Sequence, residues 1–336
     1  MADPAGAAGP QVARRGRWGD LALQALIVCV VVGACWWVVD RALGTLRERG
    51  VRSGFDFLRD AAGFDISEGW LPFDSTQPFW KAFLAGLVNT IRAAVPAIVI
   101  AVVLGILLGI GRLAPHRLVR GLSSIYVQGL RNVPLLVQLL LLYFALTQLL
   151  PDAENALQLA PGVSLGKSGL AMPWPVHGDA GWTIEWPERT LFGVTGGAAL
   201  SPEYLAISLA LGLYTAAFVA EIVRAGITSV GTGQVAAARA LGLSPAQVMR
   251  LVVLPQALRL IVPALTSQLL SLVKNSSLAV AVGYPELVSV ANTSLNATGR
   301  PFECIAVVMT VYLLLSLLIS LVMNRYNARV ALRGWQ

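Results

Sequence analysis

An all-α membrane protein with about six transmembrane helices is the fold class this sequence predicts, on three observations. Hydrophobic residues make up 56% of the chain against 13% charged, and the mean hydropathy is +0.68, well above that of a soluble domain. Apolar runs at 21–39, 93–110, 135–150, 204–223, 260–282 and 304–323 approach or reach the roughly 18 residues that cross a bilayer. Basic residues gather at 14–17, 112–131, 224–259 and 325–333, all on one side of the resulting weave, while most acids fall on the other. Short cytoplasmic loops accumulate Lys and Arg, so both termini are expected in the cytoplasm.

The elements follow in order. Residues 1–20 form a cytoplasmic N-terminus and 21–39 the first span. Trp36, Trp37, Val38 and Val39 continue its apolar run past Cys35, so it reads as a retained anchor rather than a cleaved signal. An aromatic outer loop occupies 40–82, and a transmembrane core runs over 83–325. Within the core, the run 135–150 is short unless 127–133 joins it through Arg131. The second outer loop, 151–202, is rich in Pro, Gly and Trp, and its stretch WPVHGDAGWTIEWPE predicts turns and a short hairpin with Trp at interfacial depth. A cytoplasmic loop spans 232–256, and 326–336 is a cytoplasmic tail. Gly105 and Gly109 form a small-xxx-small pair suited to close helix packing. Arg92, just before the 93–110 run, reads as a contact for lipid headgroups.

Topology accounts for the net charge of +7, which leaves membrane lipid as a partner and gives no case for nucleic acid. Cys29, Cys35 and Cys304 share no disulfide or metal spacing and read as core residues, so no metal site is expected. His116 and His177 fall in loops on opposite sides and cannot form one catalytic site. Gly231-Thr232-Gly233 through Ala236 fits a dinucleotide spacing, but no strand precedes it. The sequence contains no Gly-x4-Gly-Lys-Ser/Thr phosphate loop. The chain therefore reads as a non-enzyme with no cofactor of its own, and any ATP that drives it is bound by another subunit.

Two regions carry candidate functional residues. In 234–255, good helix formers lead to Gly242, which sits where a glycine follows a helix end near Leu241. Ser244 then caps a second helix that opens with Pro245 and runs toward Leu254. Ala240, Leu241 and Leu243 form a small apolar knob beside Arg239 and Arg250. The segment reads as a docking surface or as two ordinary interfacial helices. The second region is polar within spans. Lys274 lies about 21 Å into a helix starting near Leu260, a placement costing on the order of 2.5–3.5 kcal/mol on insertion scales. Asn275, Ser276 and Ser277 follow it. Together with Glu221, Tyr214, Thr215 and Gln268 they are candidate lining for a pathway, although Lys274 can also snorkel or pair with Glu221, and Glu221 can pair with Arg224.

The loop resembles the motif of the membrane subunits of ATP-binding-cassette (ABC) importers: Glu-Ala-Ala, three residues, Gly, nine residues, Ile, one residue, Leu-Pro. Ala236-Ala237-Ala238, Gly242, Val252 and Leu254-Pro255 align with it, and the leading Glu is replaced by Ala236. RNVPLLVQLLLLYF from Arg131, YTAAFVAEIVRAGI from Tyr214 and the stretch from Val252 to the GYPELV sequence resemble polar amino acid permeases. The extra first span and the long outer loops are similar to the subgroup for general L-amino acids or for glutamate, glutamine, aspartate and asparagine. The resemblance implies a type I ABC importer permease core with one extra N-terminal helix and two long periplasmic loops, in a bacterial inner membrane. It implies that Ala236, Ala237, Arg239, Leu241, Gly242, Leu243, Ser244, Leu254 and Pro255 couple to the ATPase, with Leu241 and Leu243 seated in it. The implied partners are two ATPase subunits, a second, non-identical permease subunit and a periplasmic amino-acid-binding protein. A secondary transporter or channel for small polar solutes is the alternative.

Overall fold

The structure, a computed structural model, describes residues 17–48, 54–178, 181–190 and 193–332. The expected terminal tails at 1–16 and 333–336 lie outside the described residues, as does the outer-loop stretch 49–53. The chain divides into two compact units, 1–55 and 56–336. The first contains one long helix, α1 (Arg17–Glu48), whose window Leu21–Val38 is apolar enough to cross a membrane. Cys29 is exposed on this helix rather than packed in a core, because α1 has no second helix in its own unit to pack against. Cys304, in the second unit, is buried as expected.

The second unit contains α2 (Phe79–Gly111), α3 (Arg117–Asn132), α4 (Leu135–Phe144), α5 (Pro202–Thr228), α6 (Thr232–Ala240), α7 (Pro245–Val248), α8 (Leu254–Asn275), α9 (Leu287–Thr298) and α10 (Pro301–Leu332). Over the described residues of the whole chain, five helices can cross a membrane by length and composition, or six if the bent pair α3–α4 is one span. That pair bends by 102°. Its cause is local: Val133 is extended at φ −103°, ψ 132°, as a residue before proline prefers, and Pro134 restarts the chain as α4. Residues 127–133 thus join the short 135–150 run through a corner, not as a continuous helix.

α2 and α5 form the spine of the bundle, and glycine makes their contact close. A Cβ at Gly105 would lie 2.5 Å from Val219 Cβ, and one at Gly109 2.8 Å from the Ala220 carbonyl oxygen. Helix association in lipid relies on such packing because hydrocarbon chains offer no hydrophobic driving force between helices. Gly105→Leu is therefore expected to lower the thermal unfolding midpoint of the purified protein, by overpacking worth about 1–3 kcal/mol. Leu107→Ala, on an exposed face of the same helix, should leave the midpoint unchanged; equal effects would show that the glycine contact is not tight.

The second long loop departs most from expectation. Instead of turns and one hairpin, its described residues form eight short strands. β1 (Leu157–Ala160), β2 (Val163–Gly166), β3 (Gly169–Met172) and β8 (Ala198–Leu200) make one antiparallel sheet in that order. The expected hairpin is β4 (Trp174–Gly178) with β5 (Gly181–Glu185), in register Trp174↔Glu185 through Gly178↔Gly181, and β6 (Glu188–Thr190) pairs with β7 (Gly193–Thr195). The first loop, 54–78, is held by a cluster in which Phe57 and Phe64 meet Phe79 at 5.4 and 6.0 Å between ring centroids. Leu287 of α9 and Cys304 of α10 complete that cluster. Both loops meet at one end of the bundle, called here the sheet end. α6 and α7 lie beyond the C-terminus of α5, at the opposite end.

Candidate functional site

The segment 232–255 is built as a rigid hairpin of helices. At the end of α6, Leu243 N–H donates to the Ala238 carbonyl at 3.2 Å and Gly242 N–H to the Arg239 carbonyl at 2.9 Å, with Gly242 left-handed at φ +83°. This is a Schellman ending, which places an apolar residue after the glycine against the last helical turns. Leu243 does this: it packs inward with Ala238, Val248 and Val253. Of the two residues expected to seat in the ATPase, Leu241 is 84% exposed and Leu243 is half-buried against this local core. Ser244 caps α7 reciprocally with Gln247, Ser244 Oγ accepting from the Gln247 N–H and Gln247 Oε1 from the Ser244 N–H at 2.8 Å. A π-helical turn, Met249–Val253, then leads into α8 with Leu254-Pro255 at its start. Ala236, Ala237 and Arg239 are exposed beside Leu241. Small side chains next to one apolar projection, backed by a private core, make a shape that a partner can seat without the loop having to reorganise.

The polar stretch lies at the far end of α8. Lys274 is exposed and makes no ion pair among the described residues; it borders a groove of about 580 Å³ along α10 with Thr310, Tyr312 and Ser316. Asn275 ends α8, which tightens into a 3₁₀ stretch, Ser276–Val282. The Ser276 hydroxyl is buried and donates to the Val273 carbonyl at 2.7 Å, and that of Ser277 to the Lys274 carbonyl at 2.9 Å. Thr215 is buried in α5, the tilted rings of Tyr214 and Phe218 meet at 4.9 Å between centroids, and Gln268 is half-buried. Lys274, Asn275, Ser276 and Ser277 are therefore adjacent. Glu221 stands apart, held by both Arg112 at the end of α2 and Arg224, the latter at 2.5 Å. Its charge is compensated there, so it is not the partner of Lys274.

Two clusters escaped the sequence reading. Arg92 is only 7% exposed, not at a headgroup surface: it pairs with Glu68 of the first loop at 3.1 Å and lies over the Tyr204 ring at 4.6 Å. Asn89 donates to the backbone carbonyls of Glu68 and Pro285 at 2.8 and 2.9 Å, tying loop, α2 and the approach to α9 together. Glu286, fully buried, accepts from the N–H groups of Val288 and Ser289 to cap α9, and from the Tyr312 hydroxyl of α10 at 3.2 Å. Beside these, at the sheet end, is a cavity of about 480 Å³ that includes Glu68, Ser201 and Glu203 in its walls.

Comparison with known proteins places this helical bundle, with its capped helix-loop-helix at one end and a polar segment reaching toward the other. The family described as "Binding-protein-dependent transport system inner membrane component" matches residues 101–333. The chain belongs to this family. It is 37% identical to the General L-amino acid transport system permease protein AapQ of Rhizobium johnstonii, over 94% of this chain and 93% of that one. It is 31% identical to the Glutamate/glutamine/aspartate/asparagine transport system permease protein BztB of Rhodobacter capsulatus, over 94% and 95%. A chain from the crystal structure of an amino acid ABC transporter with histidines superposes with a TM-score of 0.56 at 27% identity, covering 75% of this chain and 95% of that one.

Membership gives the geometry its frame. This permease is a multi-pass inner-membrane component of a transport system, and its type I importer fold is the helical core from α2 to α10. The helix-loop-helix at 232–255 lies within the matched residues, and so does the Lys274 segment. The Arg92–Glu68 pair precedes them in the chain.

Proposed function

We propose that this permease is one half of an ATP-driven importer of polar L-amino acids across a bacterial inner membrane. The single observation that carries the coupling is the Schellman-ended, capped loop at 232–255, which offers Ala236, Ala237, Arg239 and Leu241 on a pre-formed surface. Two ATPase subunits dock there and hold the ATP. Ala236 removes the carboxylate of the resembled motif, so seating is apolar, around Leu241, rather than ionic. A second, non-identical permease subunit completes the pathway, and a periplasmic amino-acid-binding protein delivers solute at the sheet end. On this reading the loop end and both termini are cytoplasmic. The relatives named for L-amino acid and for glutamate, glutamine, aspartate and asparagine transport support the substrate class.

Closure of the ATPases would push the loop as a unit, and Leu254-Pro255 carries that motion directly into α8, whose other end bears Lys274. A wall of Lys274, Asn275, Ser276 and Ser277, with Tyr214, Thr215 and Gln268 nearer the bundle core, suits a zwitterion: one cation and several hydroxyl or amide groups. The test is reconstitution of the purified assembly in proteoliposomes. ATP-dependent uptake of amino acids with a co-purifying ATPase is the expected result, and uptake driven by an ion gradient without ATP would favour a secondary transporter. In the same assay Lys274→Met is expected to reduce uptake about tenfold with assembly intact, the scale of losing one interaction of roughly 1.4 kcal/mol; wild-type kinetics would make Lys274 structural.

A further inference from the structure

We infer that the cavity at the sheet end is a subsite for the ammonium group of a small organic solute, with the Glu203 carboxylate as its charged contact. The inference rests on the import reading and adds a binding station to it. The cavity, about 480 Å³, is of ligand-pocket size. Four separate parts of the chain wall it: Ser67 and Glu68 from the first loop, Ser168 from the turn between β2 and β3, Ser201 and Glu203 from the start of α5, and Gly283 from the turn after the 3₁₀ stretch. Convergence of distant segments on one polar space is what a built site requires, whereas a surface dent is usually formed by neighbours in sequence.

Its two carboxylates are not equivalent. Glu68 is compensated, with Arg92 at 3.1 Å and the Ser201 hydroxyl donating to it at 2.5 Å. Glu203 accepts one hydrogen bond, from the Tyr143 hydroxyl at 3.1 Å, and makes no ion pair among the described residues. The cavity thus presents one uncompensated negative charge among neutral hydroxyls. A half-buried carboxylate with a single neutral donor gains most from an added cation. Divalent metals are a poor match, since Ca²⁺ takes about six to eight oxygen ligands and Mg²⁺ demands near-octahedral order. An ammonium group, with three N–H donors, can meet one carboxylate and two hydroxyls at once. The Gly283 wall also terminates the segment that begins at Lys274, so the cavity adjoins the end of the proposed pathway rather than an unrelated face.

Charge-selective labelling tests this. Ser168 is exposed in the wall, and a Ser168→Cys variant of the assembled complex can be reacted with a trimethylammonium methanethiosulfonate and with its sulfonate counterpart, background from the natural cysteines being subtracted. The cation-to-anion rate ratio is expected to fall about tenfold on adding Glu203→Gln, as one unit charge at a few ångströms in a partly hydrated site warrants, and to persist in Glu203→Asp. A ratio indifferent to Glu203→Gln overturns the subsite. With Glu203 intact, L-glutamine is expected to slow labelling and N-acetyl-L-glutamine, which lacks the ammonium, to leave it unchanged; equal protection by both overturns it as well, without relying on any variant at Glu203. Uptake by the unsubstituted complex is a separate readout, so loss of the import reading and loss of the subsite are told apart.

Discussion

Gly242→Asp is expected to leave the permease inserted and folded but to abolish ATP-coupled uptake, whereas Gly242→Asn should retain most of it. The two substitutions separate backbone from charge. Gly242 occupies the left-handed region at φ +83°, where most L-residues pay on the order of 1–2 kcal/mol, and Asn and Asp are the side chains that tolerate it best. No atom lies within 4 Å of a Cβ built there, so neither side chain is blocked sterically. Both variants should therefore keep the Schellman hydrogen bonds and the inward packing of Leu243. The difference is that Asp places an unpaired carboxylate next to the exposed Leu241, on the surface proposed to be desolvated by the ATPase, and an uncompensated buried charge is far more costly than a neutral amide. Gly242→Val should fail by another route, since a β-branched residue is a genuine outlier at this φ, and the loop itself should lose its geometry. The measurements are ATPase co-purification and uptake in proteoliposomes. Equal uptake by the Asp and Asn variants would remove the apolar docking surface from the mechanism.

That loop was readable in the sequence because its chemistry is local. Gly242, Ser244 and Pro245 mark a helix end and a helix start within a few residues, and each signal acts through its own backbone. The spans were readable for a similar reason, since length and apolarity alone suffice to cross a bilayer. The half-burial of Leu243 is less legible because it depends on the hydrogen-bond pattern that follows Gly242; an apolar residue directly after such a glycine is itself the available signal. Arg92 was misread because its partner comes from a loop with no periodicity, where nothing near Glu68 marks it for burial. Glu286 was overlooked although a carboxylate directly ahead of an apolar run is a helix-start signal. The strands of 157–200 are only three to five residues long and rich in Gly, so no alternation could develop that would distinguish them from turns.

The Arg92–Glu68 pair should show the largest stability effect of a single side chain. Glu68→Gln is nearly isosteric, keeps an acceptor for the Ser201 hydroxyl, and leaves the backbone carbonyl that binds Asn89 untouched, so it removes charge and little else. Arg92 would then be a 7% exposed cation left with two neutral contacts, the Tyr204 ring and the Tyr284 side chain. Removing one member of a buried pair typically costs about 3–5 kcal/mol, because the desolvated partner is left uncompensated; a cation over an aromatic ring returns roughly 2 kcal/mol at most when desolvated. The aromatic anchors Phe57, Phe64 and Phe79 do not depend on the pair, so the first loop should stay in place and the loss should appear as a lower thermal midpoint without release of the loop to protease. Arg92→Met alone should cost less, since Glu68 at 18% exposure can recover some hydration. The decisive variant is the double replacement Glu68→Gln with Arg92→Met, which removes the stranded charge and should recover most of the midpoint. Thermal unfolding of the four proteins in one detergent gives the coupling energy directly. If Glu68→Gln alone unfolds at the wild-type temperature, Arg92 does not need the Glu68 charge, and the loop is held by its phenylalanines and the Asn89 bond to the Glu68 backbone.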